Sequence, residues 1–146
     1  IRDRTETLSR MLQEYKQAWQ QAVSAPDPLD RILGLIRVDF CPEICNQTKL
    51  ALWFSFWGEA RAQQLYNAIC VQAEIERNDA MLDSCRDLVA ASGGADPALL
   101  TQSIDAFTDG LWLQMHMQGH PLTREEALAA AFAHLRLLLP HHAAQF

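Results

Sequence analysis

Between Asn46 and Ala62 the chain reads NQTKLALWFSFWGEARA, and Trp53, Phe54, Phe56 and Trp57 are four large rings within five residues. Rings at that density either fill a core by apolar burial or turn their π faces toward a pocket. At 3.6 residues per turn, Leu50, Trp53, Phe54, Trp57 and Ala60 share one broad face, which Leu52 and Phe56 widen. With Lys49, Ser55, Glu59 and Arg61 as its polar residues, the stretch predicts a helix enclosed by its neighbours. Core and pocket both stay open for its tryptophans at this stage.

The residue types that usually carry catalysis are present without the spacing catalysis needs. The chain has no GxSxG elbow, no Gly-rich phosphate loop and no HExxH. His116 and His120 are four apart, but Gly119 and Pro121 flank the second, which predicts one helix-end and one loop histidine rather than a metal pair. Cys41 and Cys45 are also four apart, with Pro42 interrupting any continuous helix. His134 lies on an Ala/Leu-rich face and reads as a satisfied histidine at a packing or subunit contact. His141 and His142 read as solvated tail residues. Glu125 and Glu126 suit the first turn of a helix, where carboxylates complement the dipole. The expectation is a protein that is not an enzyme, with no catalytic residue, no metal site and no cofactor.

A length of 146 residues predicts one domain with a sizeable core. Hydrophobic residues are 49% and charged residues 21%, an ordinary globular balance, and no apolar run approaches the ~18 residues of a membrane span. The net charge of −6 argues against nucleic-acid binding by this segment itself. Cys41, Cys45, Cys70 and Cys85 form no CxxC pair and read as reduced, buried thiols of a cytoplasmic protein. No signal peptide is visible at Ile1, which reads as the start of an ordered part of a longer chain.

Apolar residues recur at three and four throughout, so six helices are expected and no strands, an all-α bundle. The first runs from Arg2 to Val23 without an N-cap. Asp27-Pro28 opens the second, which extends to about Phe40. The aromatic helix follows, then a longer helix over about Gln63–Ala91, whose middle (Glu74, Glu76, Arg77, Asn78, Asp79) reads as solvated. Ser92-Gly93-Gly94 stops it, and Asp96-Pro97 opens a fifth to about Gln118. Thr123 with Glu126 is a capping box for the sixth, which reaches Leu139 and leaves a frayed tail from His141 to Phe146.

The last two helices each carry two apolar stripes. Leu100, Ile104, Phe107, Leu111 and Met115 form one on the fifth, and Leu128, Phe132, Leu135 and Leu139 one on the sixth. The second stripes are Leu99, Ala106, Gly110, Leu113 and Met117, and Ala127, Ala131, His134 and Leu138. One stripe suffices for a helix's own core, so the second pair predicts a homodimer through an isologous four-helix interface. Helices simply central in the monomer would be the plainer alternative.

Two blocks carry a family resemblance. Lys49-Leu50-Ala51-Leu52-Trp53-Phe54-Ser55-Phe56-Trp57 is similar to a K-x-x-x-W-x-x-F-W pattern, and Asp109-Gly110-Leu111-Trp112-Leu113 followed by Gly119-x-Pro121-Leu122 is the second. Together with Asp39-Phe40 they resemble the regulatory domain of TetR-family transcriptional repressors, above all the choline-responsive BetI group, over about Arg4–Pro140. The charged Glu59-Ala60-Arg61 departs from that group. The resemblance implies a six-helix effector-binding domain whose last two helices dimerise, with residues 1–146 as one ligand-binding and dimerisation unit. It also implies operator DNA as a partner, through an N-terminal helix-turn-helix that this chain does not contain, and a first helix that connects head to core. No membrane partner is expected. A quaternary ammonium such as choline or betaine aldehyde would be held by π faces and a carboxylate. Phe40, Trp53, Phe56, Trp57, Tyr66 and Trp112 would supply the rings, and Asp109, Asp39 or Glu59 the charge, with Phe54 expected to pack. A different hydrophobic or amine ligand, or a helical adapter without a DNA role, are the other readings.

Overall fold

A computed structural model describes residues 2–117, 119 and 122–146, with the side chains of residues 2, 3, 61 and 62 outside the description. The expected loop at His120-Pro121, the spacing of His116 to His120, Pro121 of the second shared block and the reading of Ile1 and Gln118 fall outside the described residues. The helices are α1 (Arg2–Ala22), α2 (Pro28–Asp39), α3 (Gln47–Ala62), α4 (Gln64–Ser92), α5 (Pro97–His116) and α6 (Arg124–Leu138), followed by a 3₁₀ helix over Pro140–Gln145. No strand occurs among the described residues.

Local signals start and stop these helices. Asp27 and Asp96 accept the backbone N–H of Leu29 and Ala98 at 3.4 and 3.1 Å, each followed by a proline whose missing N–H costs nothing in a first turn. Asn46 accepts from Lys49 N–H at 2.9 Å and caps α3. The Thr123–Glu126 box is closed in both directions, at 3.1 and 3.2 Å. Gly93, at φ +73°, takes a conformation that L side chains rarely adopt and ends α4. The α3–α4 junction uses no glycine or proline: Gln63 alone is extended (φ −127°, ψ 119°) while its N–H still bonds Glu59.

Packing departs from the expected enclosure of the aromatic helix. Leu50, Trp53, Phe56 and Ala60 are buried, but Thr48, Ala51, Ser55 and Gly58 are exposed. Their spacing of three and four makes a solvent stripe of small and polar residues down α3, which the count of rings concealed. The most enclosed helix is α2, with six of its twelve residues buried between α1, α4 and α6. The longest helix, α4, touches α1, α2, α3 and α5 and ties the domain together.

The C-terminal segment is docked rather than frayed. His142 bonds Ser92 at 3.0 Å, Arg136 Nε donates to the Phe146 carbonyl at 3.1 Å, and the Phe146 ring meets Phe132 edge-on at 6.2 Å. On α5, Leu100, Ile104, Leu111 and Met115 are buried, while Leu99, Ala106, Gly110, Leu113 and Met117 form an exposed stripe. On α6 the residues of the expected second stripe are largely covered within the protomer. Ala127 (0% exposed) and Ala131 (4%) belong to the protomer's own core and offer nothing to a partner. His134 stacks on Phe107 at 4.0 Å and bonds Ser103, and Leu138 is half-buried. Small side chains let α6 lie close to α5, which turns Ala133 and Leu137 outward instead.

Candidate functional site

A cavity of about 1010 Å³ lies between α1, α3, α4 and α5. Leu12, Tyr15, Lys16 and Trp19 reach it from α1, and Trp53, Phe54 and Trp57 from α3. Ile69, Ala73 and Arg77 come from α4, Asp105, Asp109, Trp112 and Leu113 from α5, and Asp39 from the end of α2. The helical period explains this grouping, since each set recurs at three or four on one face.

Three tryptophans form one wall. Their ring centres are 6.1 Å apart for Trp53–Trp57, 6.3 Å for Trp53–Trp112 and 6.0 Å for Trp57–Trp112, with planes tilted by 20–37°. Such a triangle has its centre only about 3.5 Å from each ring centre. Methyl carbons need ~3.5–4.0 Å from ring carbons, so a nitrogen wrapped in methyl groups cannot sit in the middle. The three indoles pack on each other, and all three belong to the cavity lining. Trp112 is fixed further by its Nε1, which donates to the Asp39 carbonyl at 2.8 Å. The Trp53 indole N–H is buried with no acceptor among the described residues.

A charged network crosses the floor. Arg77 donates to Asp39 at 3.0 Å, to the Tyr15 hydroxyl at 3.1 Å and to Asp105 at 3.4 Å, and the Tyr15 hydroxyl donates to Asp39. Burial raises the Asp39 carboxyl above the usual range, while Arg77 and the Tyr15 hydroxyl pull it back. Burial pulls Arg77 down, but Tyr15, Asp39 and Asp105 more than offset this and hold it protonated. Burial likewise lifts the Tyr15 phenol well above its ordinary value. Asp109, like Glu74 and Asp79, is an exposed lining carboxylate, and no cation pairs with any of the three among the described residues. Desolvation, with Asp105 and Asp39 nearby, pushes the Asp109 carboxyl up to about 6. The lining holds six carboxylates (Asp39, Glu74, Glu76, Asp79, Asp105, Asp109) against Lys16 and Arg77, a formal excess of four negative charges.

Of the residues proposed from sequence for a ligand, Asp39, Trp53, Trp57, Asp109 and Trp112 share this cavity. Phe40 (4% exposed), which caps the end of α2, and Phe56 (1%) and Tyr66 (3%) are in the core and not among the lining residues. Glu59 pairs with Arg4 of α1 instead of facing the cavity. Phe54, expected to pack, is on the wall, in edge contact with Trp57 at 5.3 Å and stacked on His116 at 4.8 Å. Arg77, read as solvated, is buried. The signal was there: Arg77 falls in phase with Cys70, Met81, Ser84 and Leu88, the buried positions of α4. Tyr15 and Asp105 gave no comparable signal, since a lone tyrosine or aspartate on an amphipathic helix is common.

No group of three or more His, Cys, Asp or Glu suited to a metal occurs among the described residues. Cys45, Cys70 and Cys85 are buried and all four cysteines are free. Burial pushes the Cys45 thiol up to about 12 and Cys85 to about 11, which suppresses the reactive thiolate. No described helix is long and apolar enough to cross a membrane.

Comparison with known proteins converges on one group. Residues 28–140 match the family described as "BetI-type transcriptional repressor, C-terminal". The chain is similar to the HTH-type transcriptional regulator BetI of Serratia proteamaculans (strain 568), 21% identical over 122 residues, covering 84% of this chain and 60% of that protein. The HTH-type transcriptional regulator BetI of Rhizobium meliloti (strain 1021) is 27% identical over 118 residues, covering 77% and 56%. The chain thus spans less than two thirds of the length of these curated relatives. Its fold is similar to a crystal structure described as a transcriptional regulator from Pseudomonas aeruginosa PAO1, with a TM-score of 0.74 at 20% identity over 98% of this chain and 69% of that one.

Proposed function

From the premise that this chain belongs to the BetI-type transcriptional repressor family, matching its C-terminal part, we propose that it is the effector-binding and dimerisation domain of a TetR-family repressor. The family is one of transcriptional regulators rather than enzymes. The effector is a small cationic metabolite such as choline or betaine aldehyde. The observation that carries this is the cavity lining, which holds six carboxylates against two cations together with the three packed tryptophans. A quaternary ammonium donates no hydrogen bond, and π faces with a nearby carboxylate are what attract it.

Relay to a DNA-binding head would run through α1. This helix supplies a wall of the cavity and is tied to the rest by Tyr15 in the charged network, by Lys16 to Glu76 at 2.9 Å, and by the pairs Arg4–Glu59 and Glu14–Lys49. An occupant that prefers one placement of α1 shifts the equilibrium only by its differential affinity, on the usual scale of ~1–3 kcal/mol. Operator DNA is then the partner of the whole protein. Dimerisation through the exposed α5 stripe would set the spacing of two such heads. Titration calorimetry with choline and betaine aldehyde tests the effector: heat of binding is expected, and a flat trace from a chain with a helical spectrum would count against it.

A further inference from the structure

The cavity and the exposed stripe of α5 share an edge. Leu113 (46% exposed) and Gly110 line the cavity, and both belong to the stripe of Leu99, Ala106, Gly110, Leu113 and Met117. The helical period explains the overlap. Asp105, Asp109 and Trp112 lie on the cavity face of α5, and Leu113, one turn on from Asp109, lies where that face turns into the stripe. The cavity is open on this side: a Cβ added at Gly110 would meet nothing within 4 Å, and Asp109 beside it is exposed. Helix α5 packs on α3, α4 and α6, and none of these covers the stripe.

An open cavity holds a small cation weakly, because solvent screens the attraction of its carboxylates. A cover that displaces this water lowers the local dielectric and strengthens the same attraction. The stripe itself is suited to meet its own copy. Leu99 stands at one end, Leu113 and Met117 at the other, and Ala106 and Gly110 in the middle. None of these carries a charge, which matters for two chains of net charge −6. With a two-fold axis midway between Ala106 and Gly110 and the helices antiparallel, Leu99 of one copy meets Met117 of the other, and Ala106 meets Gly110.

Resting on the dimerisation reading above, we infer that the second copy completes the effector site: docking along the α5 stripe roofs the mouth of the cavity at Gly110 and Leu113. Ligand and partner then bind cooperatively. By linkage, dimerisation tightens the ligand by the same factor, per site, as the ligand tightens the dimer.

All four tryptophans of the chain, Trp19, Trp53, Trp57 and Trp112, line the cavity, so acrylamide quenching of their fluorescence reports access to it. Sedimentation fixes the oligomeric state of the unaltered chain and of Leu99→Glu and Met117→Glu, which lie at opposite ends of the stripe and outside the lining. The dimer is expected to lose much of the quenching that either monomeric variant shows. Choline, titrated by calorimetry, is expected to bind the dimer about fivefold or more tightly than the variants. Dilution of the unaltered chain through its dissociation midpoint repeats the quenching comparison without relying on a variant to fold. Equal quenching in dimer and monomer would overturn the closure and leave the dimer standing. Equal choline affinity in the two states would overturn the coupling. Variants that both remain dimeric would move the interface off the stripe and overturn the closure too. An unaltered chain that sediments as a monomer would overturn the dimerisation reading and the closure with it. A flat choline trace in every form counts against the choline reading, and quenching then decides the closure alone.

Discussion

Arg77 shows how one side chain can serve the fold and the site together. Only 8% exposed, it is held by Asp39, Asp105 and the Tyr15 hydroxyl, and Asp39 is itself 5% exposed. Arg77→Met should therefore strand a buried carboxylate and destabilise the domain by about 3–5 kcal/mol, read as a shift in urea midpoint. A loss below ~1 kcal/mol would mean that Asp39 finds another partner or a proton. Asp109 should make binding pH-dependent. With its carboxyl at about 6, it is ionised at pH 7.5 and largely neutral at pH 5. Cation affinity should thus weaken as pH falls through 6, and Asp109→Asn should remove that part of the dependence in a titration series. Stability moves the other way. The folded carboxyl holds its proton more tightly than the unfolded one at ~3.9, so Asp109 favours folding increasingly as pH drops from about 6 towards 4. The sequence made Trp53, Trp57, Asp109 and Trp112 legible as candidates, because rings and acids at helical spacing announce themselves. It concealed Arg77, because a cation amid Glu74, Glu76 and Asp79 looks solvated until the phase of α4 is fixed by what packs on it.

At the level of single helices, short-range chemistry governs ends and long-range packing governs faces. The caps at Asp27, Asp96 and Thr123 and the stop at Gly93 depend on residues within four positions of each other, and all were readable. Thr123→Ala should cost about 1 kcal/mol, since it removes the acceptor for the Glu126 N–H. A thermal melt would register this, and an unchanged midpoint would show that Glu126 and solvent suffice. Faces were less legible. The rings of α3 suggested full enclosure, yet Ala51, Ser55 and Gly58 face solvent, and the tail expected to fray is pinned through His142 and Phe146. A hydrogen bond from His142 to Ser92 joins residues fifty positions apart, which no local pattern encodes.

For the whole molecule, the exposed stripe on α5 is the natural place for a second copy. Leu99 is 67%, Leu113 46% and Met117 44% exposed, and Leu137 of α6, the helix packed on α5, is 80% exposed. Leu99→Glu, which lies outside the cavity lining, should convert a dimer to a monomer in sedimentation while helicity is kept. Ala127→Leu should behave differently. Ala127 is fully buried, so the added bulk should overpack the protomer and cost about 1–3 kcal/mol in unfolding experiments. If Ala127→Leu instead left stability untouched and changed only association, Ala127 would belong to a subunit contact rather than to the protomer's core.

The sequence by itself determined the helical class, the helix ends, the absence of recognisable catalytic spacing and the two aromatic and acidic blocks that resemble the BetI-type family. Each of these depends on residue type and on neighbours within a turn or two. Tertiary structure alone decided which rings meet the cavity. A helix face is apolar whether it meets another helix or an open space, so Phe56 and Trp57, adjacent in sequence, part company only when α4 packs against α3. It also decided that Arg77 pairs with both Asp39 and Asp105 while Asp109 has no such partner among the described residues, because those carboxylates come from α2 and α5 and converge only in the folded chain.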